Sequence, residues 1–351
     1  MNPMRPMSRP ADALAAVSHA DPYPYYAALA RGRAPFHDAG LGLWVCAHPD
    51  TVHAVLAHAD CRVRPVEEPV PAVLRGPAGT LFGALARMND GAPHAQIKPV
   101  LQAALGAVPS GALRVPRARV RNAAGLNAFM FDAPVQAVAS LLGCPEAQLG
   151  AVAGRVGRFA GALSPLADAA QIGVAHEAAT ALLAALRRLV AEPPADAPLL
   201  HAVLARAGAV DADVLLANLL GLLSQSYEAT AGLIGNCIVA RLRGAKDDPA
   251  ALVDAVMRDD PAIHNTRRYT ARAIDIEGVE VDAGQAILLV LAAAREPFGH
   301  GRHACPGQAL ARAVTVQAVV ALEGCLPDVG WRYRASPNAR MPEFLDGREK
   351  A

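Results

Sequence analysis

The sequence predicts a mainly α-helical protein with a small β-region at its edge. Helical patterning dominates from residue 91 to about 259, rich in Ala and Leu and broken at Pro and Gly. Within it, residues 211–242 are apolar around most of a helical circumference, the pattern of a helix buried at the centre of a large protein. Strand-like patterning is confined to short stretches on either side of that body. A chain of 351 residues, 53% hydrophobic and 19% charged, is long enough to enclose one large core.

Taken in order, residues 1–10 (MNPMRPMSRP) are expected to be disordered and 11–351 to form a single domain. The first ten contain no apolar run of signal-peptide or anchor length, so a cytoplasmic location is expected. Apolar runs at 42–47 and 61–63 flank a helical stretch at 49–58, which predicts a β-region with an inserted helix. Residues 66–90 carry several Pro and Gly and read as a long functional loop. The run CPEAQL at 144–149 ends one helix and begins another. Residues 272–282 alternate, and after Gly284 an apolar run spans 287–293; both read as strands. A last helix is predicted over 307–322, followed by strand and turn over 328–344.

Charge and cysteine usage exclude several functions. A net charge of +1 offers no electrostatic basis for nucleic acid or an anionic membrane as partner. The most apolar segment, 214–223, runs into Ser224, Gln225, Ser226 and Glu228, too short and too polar to cross a bilayer. The six cysteines form no CxxC pair, which argues against a disulfide framework or a structural zinc site. Cys46, Cys61, Cys144, Cys237 and Cys325 read as small core residues; Cys305 has different company.

That company is Phe298-Gly299-His300-Gly301-Arg302-His303-Ala304-Cys305-Pro306-Gly307. Two glycines two apart permit a tight hairpin with positive φ beside a flat ligand. Cys305 then stands just before a helix, with Pro306 suited to the first helical position. A helix N-terminus favours a thiolate, and His303 can supply a cation near the same loop. The segment resembles the haem-binding signature of the cytochrome P-450 family, F-G-x-G-x-H-x-C-x-G, at every specified position. The resemblance implies the cytochrome P-450 fold, a helical body around haem b (iron protoporphyrin IX), with Cys305 as the iron's ligand. It also implies haem contacts from Phe298, Gly299, His303 and Gly307.

His94 and Lys98 stand four residues apart on one predicted helix face, after Asp90-Gly91-Ala92-Pro93. Read alone, they are either a solvated basic face or an anion site. The family resemblance implies the latter, for a haem propionate, and gives Arg268 the same role. The similarity continues through 134–148, the central helix and 274–284, and so spans most of the chain.

Three features depart from the family. Where its members carry A-G-x-[DE]-T-T on the central helix, this chain has Gln225-Ser226-Tyr227-Glu228-Ala229-Thr230. The acid is present as Glu228, the first threonine is Ala229, and Thr230 matches the second; Ser226 is a candidate for holding a water. The family's E-x-x-R motif keeps Arg258, but Ala255 takes the place of the glutamate, with Asp254 one position away. A long stretch before the cysteine loop is also missing, because Arg295-Glu296-Pro297 leads straight into Phe298. That stretch normally packs on the E-x-x-R pair, so the two losses are mutually consistent.

What the resemblance implies is a bacterial-type monooxygenase of a small or medium-sized organic molecule in specialised metabolism. A ferredoxin and its reductase would be the electron donors. Leu81, Phe82, Ser224, Tyr227, His264 and Asn265 are expected to line the substrate pocket, with ordinary packing open for Tyr227 and turn roles for His264 and Asn265. The departures leave a second reading: a haem protein that uses peroxide, catalyses a non-oxygenating reaction, or serves as a silent binding partner. A hydrolase is excluded by the lack of a G-x-S-x-G or similar nucleophile setting.

Overall fold

A computed structural model of the chain describes residues 9–118, 120–163 and 167–347. Of the segment expected to be disordered, residues 1–8 lie outside the described ones. Arg9 does not fit that expectation: its guanidinium sits 5.1 Å from the Tyr25 ring centre, and Pro10 is buried.

The β-region forms as predicted. After α1 (Tyr23–Leu29), strands β1 (Phe36–Asp38) and β2 (Leu43–Cys46) lead into α2 (Pro49–Ala57) and β3 (Cys61–Arg62). Residues 66–90 are more structured than a loop, because Pro77 opens a short helix, α3 (Pro77–Ala84), in which Gly79 meets the Leu74 carbonyl too closely for any Cβ. The body comprises α4 (Gly91–Gly106), α5 (Ala123–Leu141), α6 (Leu149–Gly161), α7 (Ala169–Ala191), α8 (Pro198–Ala207), α9 (Ala212–Leu242) and α10 (Pro249–Asp259). Side-chain caps fix several starts: Asn122 for α5, a reciprocal Asp168–Gln171 capping box for α7, Asp211 for α9 and Asp248 for α10.

The second β-region holds β4 (Thr266–Thr270), β5 (Ile274–Ile276), β6 (Val279–Val281) and β7 (Ala286–Leu289). The main sheet has the order β1-β2-β7-β4-β3, with β2 and β7 parallel and the other neighbours antiparallel. The apolar run predicted as one strand over 287–293 splits. Its second half coils into α11 (Leu291–Ala294), which ends at Arg295 in the left-handed region (φ 59°). Then come α12 (Gln308–Ala321) and the hairpin β8 (Val329–Tyr333)–β9 (Pro342–Asp346).

The predicted central helix is α9, packed against α5, α6, α7, α10 and α12 and buried along most of its length. Among the described residues, α7 alone is long and apolar enough to cross a bilayer by length and composition; in the fold it packs on α6, α3 and α9.

The altered E-x-x-R region lies at the surface. Arg258 pairs with its neighbour Asp259 at 2.7 Å, both side chains more than 60% exposed, so the guanidinium is held by a local acid and braces no other segment. Asp254, the nearer sequence candidate, is engaged elsewhere: Arg312 of α12 holds it with two hydrogen bonds of 2.6 and 2.7 Å. Arg340 is buried, 1% exposed, and donates to Asp260 at 2.7 Å and to the carbonyls of Val17, His19 and Ala20.

Candidate haem site

The cysteine loop is a closed hairpin. The Cys305 N–H donates to the Phe298 carbonyl at 2.8 Å, and Gly299 N–H to Glu296 at 2.9 Å. Gly299 and Gly301 both take positive φ (70° and 65°), the conformation for which the sequence spent two glycines. The tip is tied to α2, where Arg302 donates to the carbonyls of Ala57 and His58. His53 of α2 meets Glu296 at 2.6 Å in the short connection. Pro306 lies ahead of the helix rather than in its first position: Gly307 is the N-cap of α12. Burial pushes the Cys305 thiol up, while the Gly307 N–H and nearby Lys98 pull the other way. A thiol so balanced suits a metal that replaces the proton.

Cys305 opens onto a cavity of about 820 Å³. All eight residues expected to bind the cofactor line it: His94, Lys98, Arg268, Phe298, Gly299, His303, Cys305 and Gly307. Two buried donors on its wall, His94 Nε2 and Arg268 Nε, have no hydrogen-bond partner among the described residues. Lys98 Nζ donates to the Ala304 carbonyl at 2.5 Å. A thiol, cationic side chains and orphaned donors lining one chamber with largely aliphatic walls fit a metalloporphyrin with two carboxylates.

The charges differ in part from expectation. His94 is not a cation: burial, with His303 and Lys98 beside it, holds it down to about 4, so it is a neutral donor near pH 7. His303 is pushed down by burial despite Asp90, with which its Nε2 pairs at 3.0 Å. Burial raises the Asp90 carboxyl, but hydrogen bonds from His303 and the Val63 N–H, with Arg302 nearby, bring it to about 2. Asp90 thus orients His303, a role that its place four residues before His94 did not reveal. Arg268, 4% exposed, is lowered by burial to about 10 and stays charged.

On α9, Leu222, Gln225, Ser226, Ala229, Thr230 and Leu233 line the cavity. Each residue advances about 100° around the helix, so the stretch cannot present every member of the motif to one side. Glu228 falls off the lining and is raised by burial, opposed by Arg87 and Arg334. Ser226 spends its hydroxyl hydrogen on the Leu223 carbonyl at 2.7 Å.

Of the expected substrate-pocket residues, Phe82 and Asn265 line the cavity, whereas Leu81, Ser224, Tyr227 and His264 do not. Leu81 points into the helical core. Ser224 is buried against the Gly221 carbonyl at 3.3 Å. Tyr227 lies on the far side of α9, its ring 4.8 Å from that of Phe131 and its hydroxyl against Gly157. His264 is wholly buried, its Nδ1 2.8 Å from the Tyr26 hydroxyl. Arg87 does line the cavity and escaped the sequence reading. Its signal was a lone arginine in the apolar run Leu85-Ala86-Arg87-Met88.

No protein-family model matches the chain. It is 28% identical over 265 residues to cytochrome P450 107B1 of Saccharopolyspora erythraea, covering 64% of this chain and 63% of that protein. It is 30% identical over 229 residues to the vitamin D(3) 25-hydroxylase of Pseudonocardia autotrophica, covering 53% of this chain and 54% of the relative. The chain therefore matches only about three fifths, or half, of these curated relatives' lengths. Among solved structures, it superposes on CalO2 with a TM-score of 0.73 at 21% identity, covering 93% of this chain and 95% of that one. On P450 RauA the TM-score is 0.74 at 18% identity, covering 98% and 97%. The fold is the cytochrome P450 fold, with Cys305 at the cavity. Over part of its length the chain is similar in sequence to curated bacterial cytochromes P450, and its fold is the one those proteins share.

Proposed function

We propose that the protein is a monooxygenase of a small or medium-sized organic molecule, working in the cytoplasm with haem b bound through Cys305. The observation that carries this reading is the convergence of Cys305, Lys98, Arg268 and the orphaned His94 Nε2 on one cavity roofed by α9. The naming of one relative as a hydroxylase supports oxygen insertion as the reaction. When bound, haem supplies the activation of oxygen for attack on an unactivated carbon. The chain's own residues hold and orient it. Lys98 and Arg268 offer charge to the propionates, His94 and His303 add neutral hydrogen-bonding capacity, and the Gly307 N–H steadies the sulfur. Apolar walls at Leu101, Leu105, Val138 and Leu222 exclude water from the chamber.

Proton delivery is where this chain departs from its relatives. Ala229 brings no hydroxyl to the cavity face, Glu228 lies off it, and Ser226 has committed its hydrogen to Leu223. The groups left on that face are the Thr230 hydroxyl, the acceptor oxygen of Ser226, and the Gln225 amide, whose nitrogen donates to Gly221. These features favour a second reading, in which peroxide replaces oxygen and reductant or the reaction needs no proton relay. The test is turnover with an NADPH-driven ferredoxin and ferredoxin reductase against turnover with hydrogen peroxide, read by mass spectrometry. A product one oxygen heavier with the redox proteins supports monooxygenation. Product with peroxide alone supports the second reading, and product under neither condition contradicts both.

A further inference from the structure

We propose that Arg87 binds an anionic head group of the substrate, so that the chamber takes a carboxylate or phosphate carried on an apolar body. This deepens the reading of the cavity as a substrate chamber and rests on it. The charge on the lining is one-sided: Arg64, Arg87, Lys98, Arg267 and Arg268 line the cavity, and among the described residues no Asp or Glu does. A haem's two carboxylates are matched by Lys98 and Arg268 with His94 and His303 beside them. Arg64 is partly occupied, its Nε donating to the Pro69 carbonyl at 3.0 Å and its guanidinium 5.1 Å from the Phe82 ring centre.

Arg87 and Arg267 remain: neither side chain makes a hydrogen bond or ion pair with a described residue, and Arg87 is the more exposed to the chamber. Its one resolved charge partner is Glu228, which lies off the cavity wall and is not within ion-pair distance. The surrounding walls push the guanidinium below its ordinary value, while the side chain itself stays accessible from the chamber. A cation open to the chamber and without a counter-charge attracts an anion that enters it. A guanidinium offers two parallel donors suited to a carboxylate or phosphate.

The backbone under Arg87 is fixed in place. The Ala86 N–H donates to Asn218 Oδ1 of α9 at 2.8 Å, and Asn218 Nδ2 returns a bond to the Ala84 carbonyl at 2.9 Å. Asn89 Nδ2 closes the other side onto the carbonyls of Gly83 and Leu85. The arginine is therefore presented from a clamped turn, which limits the ordering that a ligand must impose. Much of the remaining lining is aliphatic, including Leu101, Leu105, Val138, Leu163 and Leu222, so the rest of the ligand is apolar.

Calorimetric titration of the haem-loaded protein with two matched pairs tests this: dodecanoate against dodecan-1-ol, and 4-ethylbenzoate against 4-ethylbenzamide. We expect at least one acid to bind about tenfold or more tightly than its neutral partner, and that preference to vanish in both Arg87→Gln and Arg87→Met. Two neutral replacements are used so that a folding defect in one does not decide the result. Equal or tighter binding of the neutral compounds, binding by neither acid, or a preference that survives both substitutions would overturn the proposal. Binding needs no turnover. A protein that binds the acid through Arg87 and oxidises nothing contradicts the proposed reaction alone.

Discussion

Arg268 shows how a single residue reports on the site: it is 4% exposed, its Nη1 donates to the Arg267 carbonyl, and its Nε has no partner. A charge-assisted hydrogen bond contributes about 1.5–3 kcal/mol, so Arg268→Ala should weaken haem binding roughly ten- to a hundredfold. Transfer of haem to a scavenging apoprotein measures this; retention equal to wild type would remove Arg268 from the cofactor site. His264 makes a second residue-scale prediction. Burial holds it down to about 3 in the folded chain, against about 6.5 when unfolded. The unfolded chain therefore takes up this proton first as the pH falls. The stability from neutral His264 is complete above about pH 6.5 and is lost at about 1.4 kcal/mol per unit as the pH drops toward 3. His264→Gln should flatten the fall in melting temperature between pH 6.5 and 4; an unchanged profile would assign that acid sensitivity elsewhere. Much of the site was legible at this scale. The glycine spacing announced the positive φ values of the loop, and the four-residue spacing of His94 and Lys98, with the family resemblance, pointed to an anion site on the cavity that Cys305 shares. The neutrality of His94 was not legible, because it follows from burial beside His303 and Lys98, residues brought there by tertiary packing.

Among the elements, α9 carries the clearest consequence. Ala229 faces the cavity, so Ala229→Thr places a hydroxyl where no donor stands. With redox partners, this variant should divert oxygen consumption from peroxide toward product, measured as the ratio of peroxide to NADPH consumed. A ratio unmoved by Ala229→Thr but altered by Thr230→Ala would mean that Thr230 already provides the relay. Periodicity marks neither side of this helix, since α9 is apolar nearly all round. Tyr227 was expected in the chamber from the resemblance alone, whereas the packing of α9 turns both it and Glu228 away from the cavity. For α10, Arg258 is a solvent-exposed partner of Asp259. Ala255→Glu should therefore give no measurable rise in melting temperature, because exposed ion pairs contribute little and no segment remains for the pair to brace. A rise of several degrees would contradict the mutual compensation of the two losses.

For the whole molecule, the fold survives a shortened route into its cofactor loop. Arg295, in the left-handed region, turns the chain out of α11, and Glu296 N–H donates back to the Leu291 carbonyl. His53–Glu296 and Arg302 then fasten the loop to α2. The sequence exposed the missing stretch, but not these replacement ties, which join residues more than two hundred positions apart. What all of this serves is the presentation of one sulfur to one cavity. The most direct measurement is the absorption spectrum of the reduced, carbon monoxide-bound protein, wild type and Cys305→Ala. The wild type should show the strongly red-shifted Soret band of thiolate ligation, and Cys305→Ala should lose it. A wild-type band at the position of nitrogen-ligated haem, or a red-shifted band that survives in Cys305→Ala, would contradict the account.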